Sequence, residues 1–97
     1  MSIINKKLLV IQKNAIPVLE RNDVEFAGVF GSYARSQAKK NSDLDILVTF
    51  SKPPSLFKFV RLENHLSDTL GVKVDLVMKD SLKPAIGKNI LREVIPV

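Results

Sequence analysis

The stretch Gly31-Ser32-Tyr33-Ala34-Arg35-Ser36-Gln37-Ala38-Lys39-Lys40-Asn41-Ser42-Asp43-Leu44-Asp45 decides how this chain is read. It begins where one apolar run, Phe26 to Phe30, stops, and it ends where a second, Leu44 to Phe50, starts. Short apolar runs bounded by glycine and polar residues read as buried strands. Asp43 and Asp45 flank Leu44 at the entry to the second strand. Side chains alternate along a strand, so both carboxylates are predicted on one face. Neighbouring carboxylates repel, and a divalent cation offsets that most simply. Mg²⁺ takes oxygen ligands and is commonly held by one or two carboxylates plus substrate phosphates. Taken alone, Asp-x-Asp reads first as a solvated pair at a strand entry, because short motifs recur by chance.

The surroundings add to it. Gly31-Ser32 lies just after a strand and before a predicted short helix, Tyr33 to Ala38. Glycine lets backbone N–H groups approach a phosphate, serine adds a hydroxyl donor, and a helix start favours anions. Arg35, three residues beyond Ser32, is placed to reach the same phosphate, although an isolated arginine is more often a surface residue. A third carboxylate, Asp75, interrupts the apolar run Val72 to Met78, read as the third strand. A charge inside an apolar strand is costly unless paired or metal-bound. If the third strand neighbours the second, Asp75 joins Asp43 and Asp45. Three such carboxylates hold two Mg²⁺ ions about 3.5–4 Å apart, an arrangement suited to in-line displacement at phosphorus. The competing reading pairs Asp75 with Lys73 or points it out from a sheet edge.

Outward from this centre, Ile4, Leu8, Ile11, Ala15 and Val18/Leu19 recur at helical spacing, predicting an amphipathic helix over the first twenty-odd residues. Pro17 should loosen its last turns. Asn22-Asp23 reads as a turn and Lys39 to Ser42 as a polar loop. Lys52-Pro53-Pro54 closes the second strand. Ser55 is a fair cap for a helix carrying Leu56, Phe59/Val60, Leu66 and Leu70, and Gly71 fits its stop. Phe57 joins Phe59 and Val60 in a bulky group assigned to the core, any exposed remainder marking a protein interface. Asp80-Ser81 opens a final helix to about Val94, with Leu82, Ile86, Ile90 and Val94 on one side. The order predicts one α/β (α+β) domain over residues 1–97, with a small three-to-four-stranded mixed sheet flanked by helices.

Composition bounds the chemistry. The chain has 97 residues, no cysteine and a net charge of +5, with 45% hydrophobic residues. Thiolate metal sites, disulfides and cysteine nucleophiles are excluded. No apolar run reaches the roughly 18–20 residues of a membrane span. The first seven residues do not resemble a signal peptide, so a cytoplasmic, membrane-free protein is expected. Residues 1–42 carry seven basic and three acidic side chains. That excess favours an anionic partner, a nucleotide phosphate among them, or simply solubility. His65, the single histidine, is read as solvated on the polar side of its helix. Tyr33 is read either as packing or as lining the site.

Gly31-Ser32, ten residues, then Asp43-Leu44-Asp45 resembles the signature of the polymerase-beta-like nucleotidyltransferase superfamily. The short length and the Gly-Ser-Tyr-Ala-Arg form resemble its minimal nucleotidyltransferase branch, and the likeness covers nearly the whole chain. The resemblance implies the nucleotidyltransferase fold, with Gly31 and Ser32 on the triphosphate. It implies Asp43 and Asp45 as metal ligands and Asp75 as the third carboxylate, helping to activate the acceptor hydroxyl. Arg35 matches a phosphate-contacting arginine of some members. One departure is Ser36, where members often have glycine. Many minimal nucleotidyltransferases are antitoxins paired with a helical HEPN-family ribonuclease toxin. The resemblance therefore implies Mg²⁺-dependent transfer of AMP from ATP to a tyrosine hydroxyl of such a partner. Three other functions stay open: neutralisation of that partner by contact alone, modification of a small-molecule hydroxyl, and, ranked last, direct nucleic-acid binding.

Overall fold

A computed structural model describes residues 6–35, 37–39 and 42–97, with side chains described from residue 9 onward. Helix α1 spans Lys6–Glu20, and strands β1 and β2 span Val24–Phe30 and Leu44–Phe50. Helix α2 spans Leu56–Leu70 and strand β3 Val74–Met78; a 3₁₀ turn, Lys79–Ser81, leads to helix α3, Pro84–Glu93, and strand β4, Ile95–Pro96. The strands form one mixed sheet in the order β3-β2-β1-β4. β2 pairs antiparallel with β1 and parallel with β3. A parallel neighbour requires a crossover, and α2 supplies it.

The core lies where one face of the sheet meets α1 and α2. Ile11, Ala15, Val18 and Leu19 of α1 pack with Val29 of β1, with Leu44, Ile46 and Val48 of β2, and with Leu62 and Leu66 of α2. Ile4 and the Leu8 side chain, also assigned to this stripe, lie outside the described residues. Pro17 is carried inside α1, which continues to Glu20. Ser55 caps α2 by accepting from the Lys58 N–H, and Gly71 ends it in the left-handed conformation.

Several expectations need correction. Residues 31–35 form a turn and 37–39 are irregular, so the short helix over Tyr33–Ala38 does not form. Among the described residues the turn is closed by the Arg35 N–H donating to the Gly31 carbonyl and the Gln37 N–H to that of Ser32. Leu56 and Phe57 are 78% and 85% exposed, so neither belongs to the core. A helix with more apolar positions than one face needs must leave some outside, and here Leu62 and Leu66 take the buried face. Ile86 of α3 is also exposed, and α3 buries no residue. Finally, the third strand starts at Val74 rather than Val72 and the last helix at Pro84 rather than Asp80-Ser81, where a 3₁₀ turn stands instead; β4, pairing with Gly28 and Val29 at the edge, is the fourth of the expected three to four strands.

Candidate active site

The sheet topology assembles the site from three distant stretches. Because β1 and β2 run antiparallel, the end of β1 lies beside the start of β2, and Phe30 is the register partner of Asp45. Because β2 and β3 run parallel, their starts coincide, and Asp45 is the partner of Asp75. Gly31, Asp45 and Asp75 therefore meet along one line across the sheet. Leu44 and Ile46 bury their side chains among the core, so alternation sends Asp45 to the opposite face.

Gly31 is required here for two reasons. Its φ is +73°, a conformation that L side chains avoid, and a Cβ at this position would run into the Asp45 carboxylate. Tyr33, only 2% exposed, roots the turn in the hydrophobic core. That bears out packing of Tyr33 rather than lining of a pocket. The turn leaves Ser32 half-buried and Arg35 exposed, with the Arg35 charge acting on Asp45.

Asp45 holds its proton above the ordinary carboxylate range. Partial burial is the largest cause; the charges of Asp75 and Asp43 and a hydrogen bond with Asp75 add to it, and Arg35 partly offsets it. Asp75 is exposed on the outer strand, so the predicted cost of burying it does not arise. Its neighbour is Asp45, while Lys73 pairs with Asp43 at 3.9 Å. Asp43 precedes β2 and is turned to that lysine. Among the described residues no three acidic, histidine or cysteine side chains converge as a ready-made metal cage. The donor set nevertheless suits a hard divalent cation. The donors on offer are carboxylate oxygens, Arg35 and Lys73 offset their mutual repulsion only in part, and an exposed ion pair such as Asp43–Lys73 is worth only about 0–1 kcal/mol to release.

Sequence reasoning missed three supporting residues. Glu63 and Ser67 of α2 accept from the N–H groups of Leu76 and Val74, at 2.8 and 2.9 Å, on the outer edge of β3. They hold in place the strand segment that carries Asp75. Glu93, at the end of α3, accepts from the Gly31 N–H at 3.0 Å and pairs with Arg35 at 3.1 Å. An acid in the last turn of a helix opposes the helix dipole, and that was the available signal for Glu93. The remaining assignments separate from the site. His65 is exposed on α2. The cations Arg21, Lys52, Lys58 and Arg61 line a cleft at the Phe50 end of β2, opposite the carboxylates.

A four-stranded mixed sheet with a glycine turn facing paired strand-entry carboxylates defines a nucleotidyltransferase. The polymerase beta nucleotidyltransferase family matches residues 13–97, and the chain belongs to it. Protein adenylyltransferase MntA of Thermococcus cleftensis is 58% identical over 78 residues, covering 80% of this chain and 79% of its own. A Methanocaldococcus jannaschii protein assigned as a protein adenylyltransferase is 42% identical over 89% of both chains. A solved structure assigned as a minimal nucleotidyltransferase superposes over the whole of both chains at a TM-score of 0.84 and 35% identity. A toxin–antitoxin complex with AMP-PNP shares the fold at a TM-score of 0.78 and 24% identity, over 88% of this chain and 70% of that one. Among the described residues no helix is long and apolar enough to cross a membrane.

Proposed function

We infer that this chain is the antitoxin of a HEPN-family toxin and inactivates it by transferring AMP from ATP to a hydroxyl, that of a tyrosine. The observation that carries the reading is the convergence of Gly31, Asp45 and Asp75, in a chain 58% identical to a protein adenylyltransferase. In the transfer, the acceptor oxygen bonds to the α-phosphorus of ATP, the bond to the bridging oxygen breaks, and pyrophosphate leaves. The Gly31 N–H, the Ser32 hydroxyl and the Arg35 guanidinium bind the β- and γ-phosphates. Asp43, Asp45 and Asp75 would hold Mg²⁺, two ions in the full arrangement, which when bound offsets charge on the attacking and leaving oxygens. Asp75, open to solvent, takes the proton of an acceptor arriving from outside. The exposed Leu56, Phe57 and Val60 on α2 supply an apolar surface for a protein partner.

The test is transfer of label from α-³²P-ATP to a purified HEPN-family protein of the same organism, with Mg²⁺ and with EDTA. Label on a partner tyrosine, lost with EDTA and with Asp45→Asn, is expected. A partner that is inhibited yet unlabelled would establish neutralisation by contact and overturn the reading. Label found only on added small alcohols would point to a small-molecule acceptor.

A further inference from the structure

Glu93 does not take part in the reaction just described, yet it holds two of the donors that the reaction needs. Its Oε1 accepts from the Gly31 N–H at 3.0 Å, and its Oε2 pairs with Arg35 Nη1 at 3.1 Å. A second Arg35 contact, to Oε1, measures 3.4 Å. A carboxylate and a phosphate offer such donors the same thing, delocalised anionic oxygens. Both cannot be there at once.

We propose that Glu93 occupies the triphosphate's seat in the nucleotide-free enzyme and is displaced when a nucleoside triphosphate binds. The inference rests on the nucleotidyltransferase reading of the same site. The main chain that carries Glu93 is anchored from the far side. Val94, the next residue, packs where Gly28 has no side chain, and β4 then pairs with β1. The carboxylate itself is held less firmly. It ends a helix with no buried residue, its own side chain is 29% exposed, and that of its partner Arg35 is half-exposed. Displacement therefore takes a side-chain rotation, not an unfolding of the sheet. A ligand's apparent affinity falls by the fraction of time that the seat is free. Ligands with one weak anionic group gain too little to open it, whereas a polyphosphate meets Gly31, Ser32 and Arg35 together.

The test is calorimetric binding of Mg²⁺–AMP-PNP and of tripolyphosphate to the full chain and to Glu93→Ala, Glu93→Gln and Arg35→Ala. If the seat is filled about four-fifths of the time, Glu93→Ala binds both ligands about 5-fold tighter. Glu93→Gln, which keeps one acceptor but no charge, falls between. In the Arg35→Ala background the gain from Glu93→Ala shrinks, because the two share that contact. The ligand-free melting temperature falls in Glu93→Ala while its rise on adding ligand grows. Unchanged or weaker binding in Glu93→Ala would overturn the proposal and make Glu93 a support that aims Arg35. Should Glu93→Ala not fold, unchanged or weaker binding by Glu93→Gln overturns it equally. Failure of every protein, wild type included, to bind either ligand would instead overturn the nucleotide-site reading on which the proposal stands.

Discussion

Replacing Gly31 with alanine isolates what the turn does, because Gly71 provides a matched control. Both glycines are left-handed, with φ of +73° and +70°. An L residue in that conformation costs about 1–2 kcal/mol. At Gly71 nothing lies within 4 Å of an added Cβ, so Gly71→Ala bears that cost alone. At Gly31 the added methyl meets the Asp45 carboxylate, which must move. Overpacking of this kind adds about 1–3 kcal/mol. In a domain of this size each kcal/mol lowers the melting temperature by about 4–8 °C. Gly71→Ala should thus melt several degrees lower and transfer AMP normally once folded. Gly31→Ala should be destabilised by roughly twice as much. It should also lose about 100-fold in transfer rate, since an ångström of misplacement costs that much. Thermal and urea denaturation measure the first effect, and initial rates at saturating ATP, below the melting point of each variant, measure the second. If Gly31→Ala matched Gly71→Ala in both, Asp45 would not depend on the bare backbone at Gly31.

Two further predictions concern the carboxylates and their support. The raised proton affinity of Asp45 means that the folded state favours its neutral form, through burial first and then the charges of Asp75 and Asp43. Its contribution to stability is therefore full below the ordinary aspartate pKa of about 3.9 and is lost as pH rises through the raised value. Asp45→Asn should then melt higher than wild type at pH 7 without divalent cations and lose that advantage near pH 3, while transfer is abolished. A lower melting temperature at pH 7 would show that the carboxylate is compensated within the protein. Glu63→Ala leaves the part-buried Leu76 N–H without its acceptor and should cost about 1–3 kcal/mol in urea denaturation. It should also slow transfer by loosening the strand beside Asp75, and unchanged stability would refute the role given to Glu63.

The two central strands and the helix between the second and third were legible because each rests on local chemistry, whereas Gly31 and Asp45 were linked by the family signature, the strand directions that bring them together being left open. Apolar runs broken by glycine, proline and aspartate leave few alternatives. The short helix over Tyr33–Ala38 was misread because Ala34, Arg35 and Gln37 are good helix formers. Burial of Tyr33 and the pull of Glu93 on Arg35 outweigh that preference and hold the segment as a single turn. Leu56 and Phe57 were placed in the core because periodicity identifies an apolar side chain without saying whether anything covers it. Glu93 lies 58 residues from Arg35, and no local pattern connects the two. β4, only two residues long and half proline, has too little pattern to read.

The central claim is that these carboxylates serve transfer of AMP to a partner protein. The direct measurement is the intact mass of a HEPN-family protein from the same organism, co-expressed with the wild-type chain or with Asp43→Ala/Asp45→Ala. A mass gain of one or more AMP units is expected with wild type and none with the double variant. An unmodified partner that still co-purifies with the wild-type chain would contradict it.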